Sequence, residues 1–319
     1  MKQVEPGWQS KCTRKRKFLQ EMNQVVPWSA LVELIEPYYP QGRTGRPPFG
    51  VETMLRVHFM QQWFTLSDPA MEEALYDVPL YREFAGLGEA SSKLPDETTI
   101  LRFRHRLERH KLGEQMFALI RELLRDKGLM LREGTAVDAT LIAAPSSTKN
   151  ASGERDPEMH QTRKGQQWYF GMKAHIGADA DSGLVHTLIG TAAHVADVTQ
   201  ANSLLHGGEK AGHGDAGYQG AHKRADAKPQ VTWYVAMRYG KRKALDKNNS
   251  PAAALIERVE HLKASVRAKV EHPFRVIKRQ FGYVKVRYRG LKKNTAQLFT
   301  LFALSNLWMV RRDLWQVSA

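Results

Sequence analysis

The chain has 319 residues, more than the usual size of a single core, so one large domain plus a smaller one is expected. With 42% hydrophobic and 25% charged residues, its composition is that of a globular protein. Its single cysteine, Cys12, excludes an internal disulfide framework and zinc sites built from cysteine pairs, and this fits a reducing cytoplasm. No start resembling a signal peptide is present, and the longest apolar run, residues 296–310, is too short and too polar for a membrane span. We therefore expect a protein without a membrane partner.

Charge is distributed unevenly along the chain. The formal net charge is +15, and residues 221–319 hold 22 Lys and Arg against 6 Asp and Glu. The first 220 residues are close to neutral, with 26 basic and 27 acidic side chains. A basic segment of this kind favours a polyanionic partner, most commonly nucleic acid, over a basic surface that serves solubility alone.

Residues 1–131 show helical patterns without a strand signal and predict an all-helical N-terminal domain. The basic run Lys11–Lys17 is either a flexible phosphate-binding arm or a plain solvated terminus. Periodic apolar residues, prolines and acidic caps predict helices at residues 27–36, 51–64, 68–76, 98–110 and 112–127. The fourth of these could enter a groove of DNA or form a solvated face, because it carries Arg102, Arg104, Arg106 and Arg109.

Residues 132–319 change to short β-branched segments that alternate with helices. Strands are predicted at residues 134–142, 168–178, 184–191, 211–214 and 232–237. The accompanying segments are a polar loop at 145–166, a short helix at 197–205 and a long helix that follows residue 249. This order predicts a mixed α/β sheet with flanking helices, placed after the helical domain.

The segment Lys263–Gly282 places one carboxylate, Glu271, among cationic side chains at helical spacing. An apolar arc along this segment predicts a helix packed on a core, with Arg267, Glu271 and Lys278 on its flank. Pro273 predicts a kink or a helix restart just after the carboxylate. Taken alone, Glu271 is either a ligand-binding group at the rim of the core or an ordinary solvated charge paired with an arginine.

Three carboxylates stand out by their positions in the predicted elements. Asp138 lies on the first strand, Asp215 follows the fourth, and Glu271 lies on the long helix. If those strands are neighbours and the helix packs on them, the acids converge. Two Mg²⁺ ions about 3.5–4 Å apart would compensate such a group and support displacement at a phosphodiester. The local alternatives are a strand-end cap for Asp138 and a turn for Asp215.

Four longer stretches carry a family resemblance: VDATLIAAPSSTKN (137–150), DPEMHQTRKGQQWYFGMKAHIGADADSGLVH (156–186), GDAGYQGAHKR (214–224) and RAKVEHPFRVIKRQFGYVKVRYRGLKKN (267–294). Together they resemble bacterial insertion-sequence transposases of the DDE class, in the family named after insertion sequence five. The resemblance implies a ribonuclease H-like domain that holds two Mg²⁺ ions, with Mn²⁺ able to substitute, at Asp138, Asp215 and Glu271. It also implies that Arg267 and Lys278 contact phosphates.

The resemblance further implies a DNA transposase that acts in the bacterial cytoplasm, on the nucleoid. Its N-terminal domain would bind the terminal inverted repeats, and residues 132–319 would cut DNA and join it to a target. Two ends must be held together, so a homodimer or a larger assembly on DNA is expected. The alternatives are a two-metal nuclease without strand transfer and a catalytically inactive DNA-binding descendant, since Gly212 and Gly214 weaken the strand before Asp215.

Further candidate DNA contacts lie outside the acidic group. Cations that alternate with tyrosines predict a strand on a nucleic-acid backbone, through Lys285, Arg287 and Arg289. Arg102 and Arg106 are the candidates in the N-terminal domain. Lys173 and His175 share a strand face that is either solvated or near DNA. The apolar helix at 295–308 is expected to cover the sheet or to form a subunit contact.

Overall fold

The computed structural model describes residues 12–40, 42, 47–88, 93–130, 133–151 and 153–317. Its first part contains α1 (Arg14–Val25), α2 (Trp28–Ile35), α3 (Val51–Phe64), α4 (Asp68–Asp77), α5 (Pro79–Ala85), α6 (Glu97–Arg109) and α7 (Leu112–Asp126). Side-chain oxygens of Thr13, Ser67 and Asp96 accept backbone N–H groups at the starts of α1, α4 and α6. The predicted basic arm is therefore helical from Arg14 onward, and Lys11 lies outside the described residues.

Six strands form one mixed sheet: β1 (Gly134–Ala143), β2 (His160–Lys164), β3 (Gln167–Asp179), β4 (Val185–Ala192), β5 (Ala211–Gly214) and β6 (Thr232–Val235). β1 pairs antiparallel with β3, and β3 pairs antiparallel with β2 and β4. On its other side β1 pairs parallel with β5, which pairs parallel with β6. This sheet, with its flanking helices and preceding helical region, confirms the predicted ribonuclease H-like fold class.

Two local predictions in the sheet region are wrong. Residues 160–164, expected in a polar loop, form β2, because the turn at Gly165 lets them pair with β3. The helix expected at 197–205 is instead two separate 3₁₀ turns, Asp197–Thr199 and Asn202–Leu204. Val198, Thr199 and Asn202 are poor helix formers, and the Asn202 side chain donates to a backbone carbonyl of another loop.

The remaining helices follow the sheet: α8 (Tyr239–Lys243), α9 (Pro251–Ala268), α10 (Glu271–Arg275), α11 (Leu291–Met309) and α12 (Arg311–Val317). A π-helical turn, Val276–Gln280, extends α10. α11 is apolar around much of its circumference and packs against α7 on one side and β4 on the other. Gly113 of α7 allows this approach, because a Cβ there would lie 2.9 Å from the carbonyl oxygen of Ala296. The prediction that this helix covers the sheet is confirmed.

One hydrophobic core joins the N-terminal helices to the sheet. Its members include Trp63 of α3, Phe117 of α7, Met172 of β3 and Phe302 of α11, each almost fully buried. The chain therefore changes secondary structure near residue 131 without a break in packing. The boundary between domains 1–131 and 132–319 stays a prediction.

The glycines of β5 make room for two rings. A Cβ at Gly212 would lie 2.9 Å from the Trp233 ring, and one at Gly214 would lie 2.9 Å from the Tyr218 side chain. β5 forms despite its weak strand propensity because these rings pack closely on its backbone. Its glycines therefore give no argument against the placement of Asp215.

Candidate active site

Strand register brings Asp138 and Asp215 together. In the parallel pair of β1 and β5, Ala136 lies opposite His213. Asp138 and Asp215 each follow two residues later, so they lie at the same level on neighbouring strands. β1 continues past this level while β5 ends at Gly214, which leaves Asp215 at the start of the following loop.

Asp215 is held by the turn that it begins. It caps a 3₁₀ turn, and its Oδ1 accepts the N–H of Gly217 at 2.8 Å. Gly217 is needed for this approach, because a Cβ there would lie 2.9 Å from the same oxygen. The turn function proposed for Asp215 is thus real, and it occupies one carboxylate oxygen while fixing the direction of the other.

Glu271 is the first residue of α10, after a break in the helix. α9 ends at Ala268, and Glu271 begins the next helix, so the break lies before the carboxylate and not after it as predicted. The physical reason is that Pro273 lies in the first turn of α10, where its missing N–H and its ring are tolerated. The Glu271 side chain is 61% exposed, and a carboxylate oxygen lies 3.7 Å from the Arg267 guanidinium.

Asp138 is the most perturbed of the three acids. Burial raises the pKa of Asp138 to about 6, although the hydrogen bond from the Ala139 N–H opposes the rise. The negative charges of Asp215 and Glu271 raise the pKa further, and Arg267 lowers it. Asp215, Glu271 and Arg267 therefore all lie close enough to act on the charge of Asp138, as expected if the three acids converge.

The donor set fits hard divalent cations. Carboxylate oxygens are the ligands that Mg²⁺ and Mn²⁺ prefer, and the negative charges of Asp215 and Glu271 both act on the buried Asp138. The three acids do not bring their oxygens within 4.8 Å of one another, in contrast to the one group in the described residues that does. The fit of this group to divalent cations therefore rests on the type of its donor atoms.

Two residues near the acids were missed in the sequence. Tyr218 is almost fully buried, and its hydroxyl has no hydrogen-bond partner among the described residues. Burial raises its pKa well above the ordinary value, with further contributions from Asp138, Asp197 and Asp215. Asp197 is thus a fourth carboxylate close to the group. The tyrosine in GDAGYQG was the sequence signal that could have identified Tyr218. Asp197 had no sequence signal beyond its position after a strand.

His175 and Lys173 contact the Asp197 side of the site and do not form a solvated face. Lys173 Nζ donates to Asp197 Oδ1 and to the Val195 carbonyl, both at 2.8 Å. His175 is fully buried, its Nε2 lies 2.8 Å from Thr191 Oγ1, and burial lowers its pKa to about 4. Both predicted readings of this face, solvated or near DNA, are wrong for His175, because the loop after β4 covers it.

Three of the predicted DNA contacts already bind backbone carbonyls. Lys278 Nζ donates to Thr140 Oγ1 and to the Leu141 carbonyl, and burial lowers its pKa. Arg287 donates to the Leu66 carbonyl at 2.7 Å, and Arg106 donates to the Tyr38 carbonyl at 2.7 Å. In this state these three cations hold the fold together, so they would have to exchange partners to contact phosphate.

The other predicted contacts differ in exposure. Arg102, Lys285 and Arg289 are exposed, and Arg267 is partly exposed beside Glu271. Residues 283–289 do not form the predicted strand, because only an isolated bridge joins Lys285 to Ala143 of β1. Arg104, expected on the exposed side of α6, is buried between Asp68 and Glu108, with both ion pairs at 2.9 Å.

A second polar group occupies the beginning of β1. Thr135 Oγ1 donates to Glu209 Oε1 at 2.9 Å, and therefore accepts from His186 Nε2 at 3.0 Å. Glu209 also accepts the backbone N–H groups of His206 and Gly207. His186, His206 and Glu209 lie within 4.8 Å of one another, as three ligands of a metal would.

The hydrogen bonds of this second group argue for a structural role. His186 Nε2 carries a proton toward Thr135, and its Nδ1 lies 2.9 Å from the hydroxyl of Thr187. His206 Nδ1 accepts the N–H of Gly208 at 3.2 Å, which leaves the proton on Nε2. Both histidines thus present protons, not lone pairs, toward the centre of the group. The Glu209 carboxylate thus takes its hydrogen bonds from donors of the protein.

None of the helices in the described part of the chain is long and apolar enough to cross a membrane.

Comparison with protein families gives two matches. Residues 130–307 match the family described as Transposase DDE domain, and residues 8–106 match the family described as Transposase domain (DUF772). No solved structure matches the chain. The first match spans more than half of the sequence and contains all three converging acids. The chain therefore belongs to the transposase DDE domain family, as a DNA transposase whose catalytic domain uses divalent metal.

Proposed function

We propose that this transposase binds the terminal inverted repeats of an insertion sequence and uses Mg²⁺ to cleave the ends and join them to target DNA. The observation that carries the proposal is the electrostatic convergence of Asp138, Asp215, Glu271 and Arg267 at the level where β5 ends beside β1. The assignment to the family named after insertion sequence five rests on the sequence resemblance and is part of the same proposal.

The three acids would hold two Mg²⁺ ions, for which Mn²⁺ is the natural substitute. When bound, the metal supplies charge stabilisation to a phosphodiester displacement. Asp215 enters the site with its direction fixed by the N–H of Gly217, and Glu271 approaches from the start of α10. Arg267 limits repulsion among the acids and offers a guanidinium to phosphate. Water would attack first and free a 3′-hydroxyl, which would then attack the target strand.

The helical region is proposed to recognise the end sequence. Its match to a second transposase family over residues 8–106 and the exposed Arg102 of α6 support this role. Removal of residues 1–131 would not test it, since that deletion also removes one side of the shared core. Arg102→Ala tests it in the intact chain, with selectivity for end DNA over unrelated DNA as the measured quantity.

Glu271→Gln tests the catalytic assignment. The substitution keeps the volume and helix while it removes one charge from the acidic group, so cleavage of end DNA should fall by about three orders of magnitude or more. Binding to end DNA should persist. Glu114→Gln is the matched control, because Glu114 is also an exposed glutamate in the first turn of a helix. Full Mg²⁺-dependent cleavage by a folded Glu271→Gln protein would remove α10 from the site.

The same assay separates the two alternatives. A nuclease without strand transfer would cut end DNA but would yield no joined product with target DNA. An inactive descendant would bind DNA and fail to nick it in either Mg²⁺ or Mn²⁺. The intact acidic group and the packing that explains the β5 glycines favour an active enzyme over the second alternative.

A further inference from the structure

Helix α9 is oriented with its apolar face outward. Leu255 is 64% exposed, Val259 43% and Leu262 59%. At 3.6 residues per turn these three side chains fall within an arc of about 60°. An amphipathic helix on a globular protein normally turns such a stripe to the core. The stripe on α9 therefore lacks a partner among the described residues of the chain.

The opposite face of α9 attaches the helix through polar contacts. Glu260 is buried, and its carboxylate accepts the N–H of Met237 at 2.7 Å and pairs with Lys263 at 2.7 Å. Glu257 pairs with Arg242 at 2.8 Å. These contacts fix the rotation of the helix, because turning the apolar face inward would break the ion pairs and remove the Glu260 acceptor from the Met237 N–H. The outward stripe is thus a fixed feature of the fold.

We propose that α9 is the interface between two copies of this chain, formed by antiparallel pairing of the two α9 helices. The spacing of the stripe supports a helix as the occupant. Apolar residues recur at alternating intervals of three and four, the seam of a two-helix coil: Ala252, Leu255, Val259, Leu262 and Val266. A phosphate backbone would need cations along this seam, and the seam has none.

The flanking charges select the antiparallel direction. In a parallel pair, Arg258 of one helix would face Lys263 of the other on both sides of the seam, which places like charges together. In an antiparallel pair, Arg258 faces Ser265 of the second copy and Lys263 faces Ile256. The seam then packs Val259 against Leu262 of the second copy. The self-complementary pattern and the charge arrangement both point to a two-fold pair.

The pairing of α9 helices would place two acidic groups in one dimer. The predicted effect of DNA on this dimer rests on the proposed function. Packing Val259 against Leu262 across the two-fold axis separates the Ala268 ends of the two helices by about 22 Å, from a rise of 1.5 Å per residue. Each end leads directly to Glu271, so two acidic groups would flank one axis. An 18-residue helix pair is small beside a standard interface of about 1,600 Å². The dimer should therefore be weak alone and stabilised by DNA that bridges both copies.

Disulfide crosslinking tests the pairing directly, because Cys12 is the only cysteine. In a Cys12→Ser background, Val259→Cys and Leu262→Cys proteins are prepared separately and oxidised alone or mixed, with and without end DNA. The mixture should yield about tenfold more linked dimer than either protein alone, because only unlike positions face each other across the axis. Linkage of each protein with itself, without linkage in the mixture, would show a parallel pair and overturn the proposal.

Leu262→Glu provides the second measurement. The side chain is exposed in the single chain, so the variant should fold normally, while a charge in the seam should weaken the dimer by about a hundredfold. Sedimentation of wild type and variant measures this, and Leu262→Ala is a milder control. If wild type and variant remain equally monomeric on end DNA that the wild type cleaves, the interface is wrong and the proposed function stands. If wild type dimerises through α9 and cleaves nothing, the function is wrong.

Discussion

Two polar groups lie three residues apart on β1 and differ in how their charges are satisfied. Around Thr135, the buried Glu209 accepts a hydroxyl and two backbone N–H groups. Around Asp138, one N–H serves the carboxylate, and the nearest carboxylates add repulsion. The pKa values move in opposite directions. Burial favours a higher pKa for Glu209, but its hydrogen bonds bring the net shift below the ordinary value, whereas the pKa of Asp138 is raised.

The hydrogen bonds around each carboxylate indicate which group is available to bind a ligand. A buried carboxylate with a complete set of donors stabilises the protein, and it has no capacity left for a ligand. A carboxylate group without enough donors costs stability in the free protein, and the cost is recovered only when a cation binds. The closeness of the ligand atoms alone would favour the histidine group as a metal site, whereas the hydrogen bonds favour the acidic group.

The largest expected difference between the two groups is in catalysis. Asp138→Asn should lower DNA cleavage by about a thousandfold or more, because it removes a charge from the proposed metal ligands. Glu209→Gln should leave the rate per folded molecule within about tenfold of wild type, because Glu209 belongs to the other group. Cleavage of labelled end DNA, normalised to the folded fraction, measures both. Equal losses in the two variants would erase the functional distinction.

The next effect is on stability. Glu209→Gln replaces an acceptor of charged hydrogen bonds with an amide that cannot accept all of them, so the free energy of unfolding should fall by on the order of 2–3 kcal/mol. Urea denaturation of the metal-free protein measures the loss. An unchanged urea midpoint would mean that water satisfies these donors.

Asp138 and Glu209 should make contributions of opposite sign to the pH dependence of stability. The pKa of Asp138 is about 6 in the folded protein, compared with an ordinary value of 3.8. The contribution of Asp138 to the free energy of unfolding is therefore fully present below pH 3.8 and is lost as the pH rises through about 6. The loss is on the order of 3 kcal/mol, so Asp138→Asn should stabilise the metal-free protein at pH 7. The lowered pKa of Glu209 makes its contribution present above pH 4.5 and lost on acidification.

The measurement is the difference between wild type and each variant across pH 4 to 8, so that titrating groups remote from both carboxylates cancel. Mg²⁺ should reduce the gain from Asp138→Asn at pH 7, because the ion stabilises only the wild-type carboxylate. A variant that is less stable than wild type at pH 7 without metal would contradict the raised pKa.

The smallest expected effect concerns Tyr218. Its buried hydroxyl has no partner among the described residues, so Tyr218→Phe removes an unsatisfied polar atom and keeps the ring that packs on Gly214. The free energy of unfolding should rise by about 1 kcal/mol or stay the same. Gly214→Ala is the contrasting variant, since its Cβ would meet that ring and should destabilise the protein. A loss of stability in Tyr218→Phe would show that the hydroxyl has a partner.

The acids were predictable from the sequence because their positions depend on simple rules. Asp138 and Asp215 end up at one level through strand pairing, and Glu271 follows from helical spacing on the next packed element. The mixed sheet and the helical region likewise follow from the periodicity of apolar residues. Each of these features is set by the pattern of side chains along the chain.

The contacts of Lys278, Arg287 and His175 were less predictable. Their partners are far away in the sequence, and no side-chain pattern marks them. Lys278 and Arg287 bind backbone carbonyls of residues 141 and 66, which any sequence provides. The alternation of side chains correctly predicted the strand face on which His175 lies. It could not predict that this face is buried, because the loop that covers it comes later in the chain. The break before Glu271 depended on whether Pro273 lay inside a helix or in its first turn, and the sequence permits both.

The position of α11 in the core has a consequence for folding during synthesis. The N-terminal helices leave the ribosome first, but α7 lacks its most extensive packing partner until Leu291–Met309 has been made. Their apolar faces must therefore stay exposed or temporarily covered while the whole sheet is translated. Contacts between segments so far apart slow folding, and an incomplete chain would aggregate before it could hold DNA. Activity should thus appear only after α11 has been translated, which limits partial products from reaching the DNA.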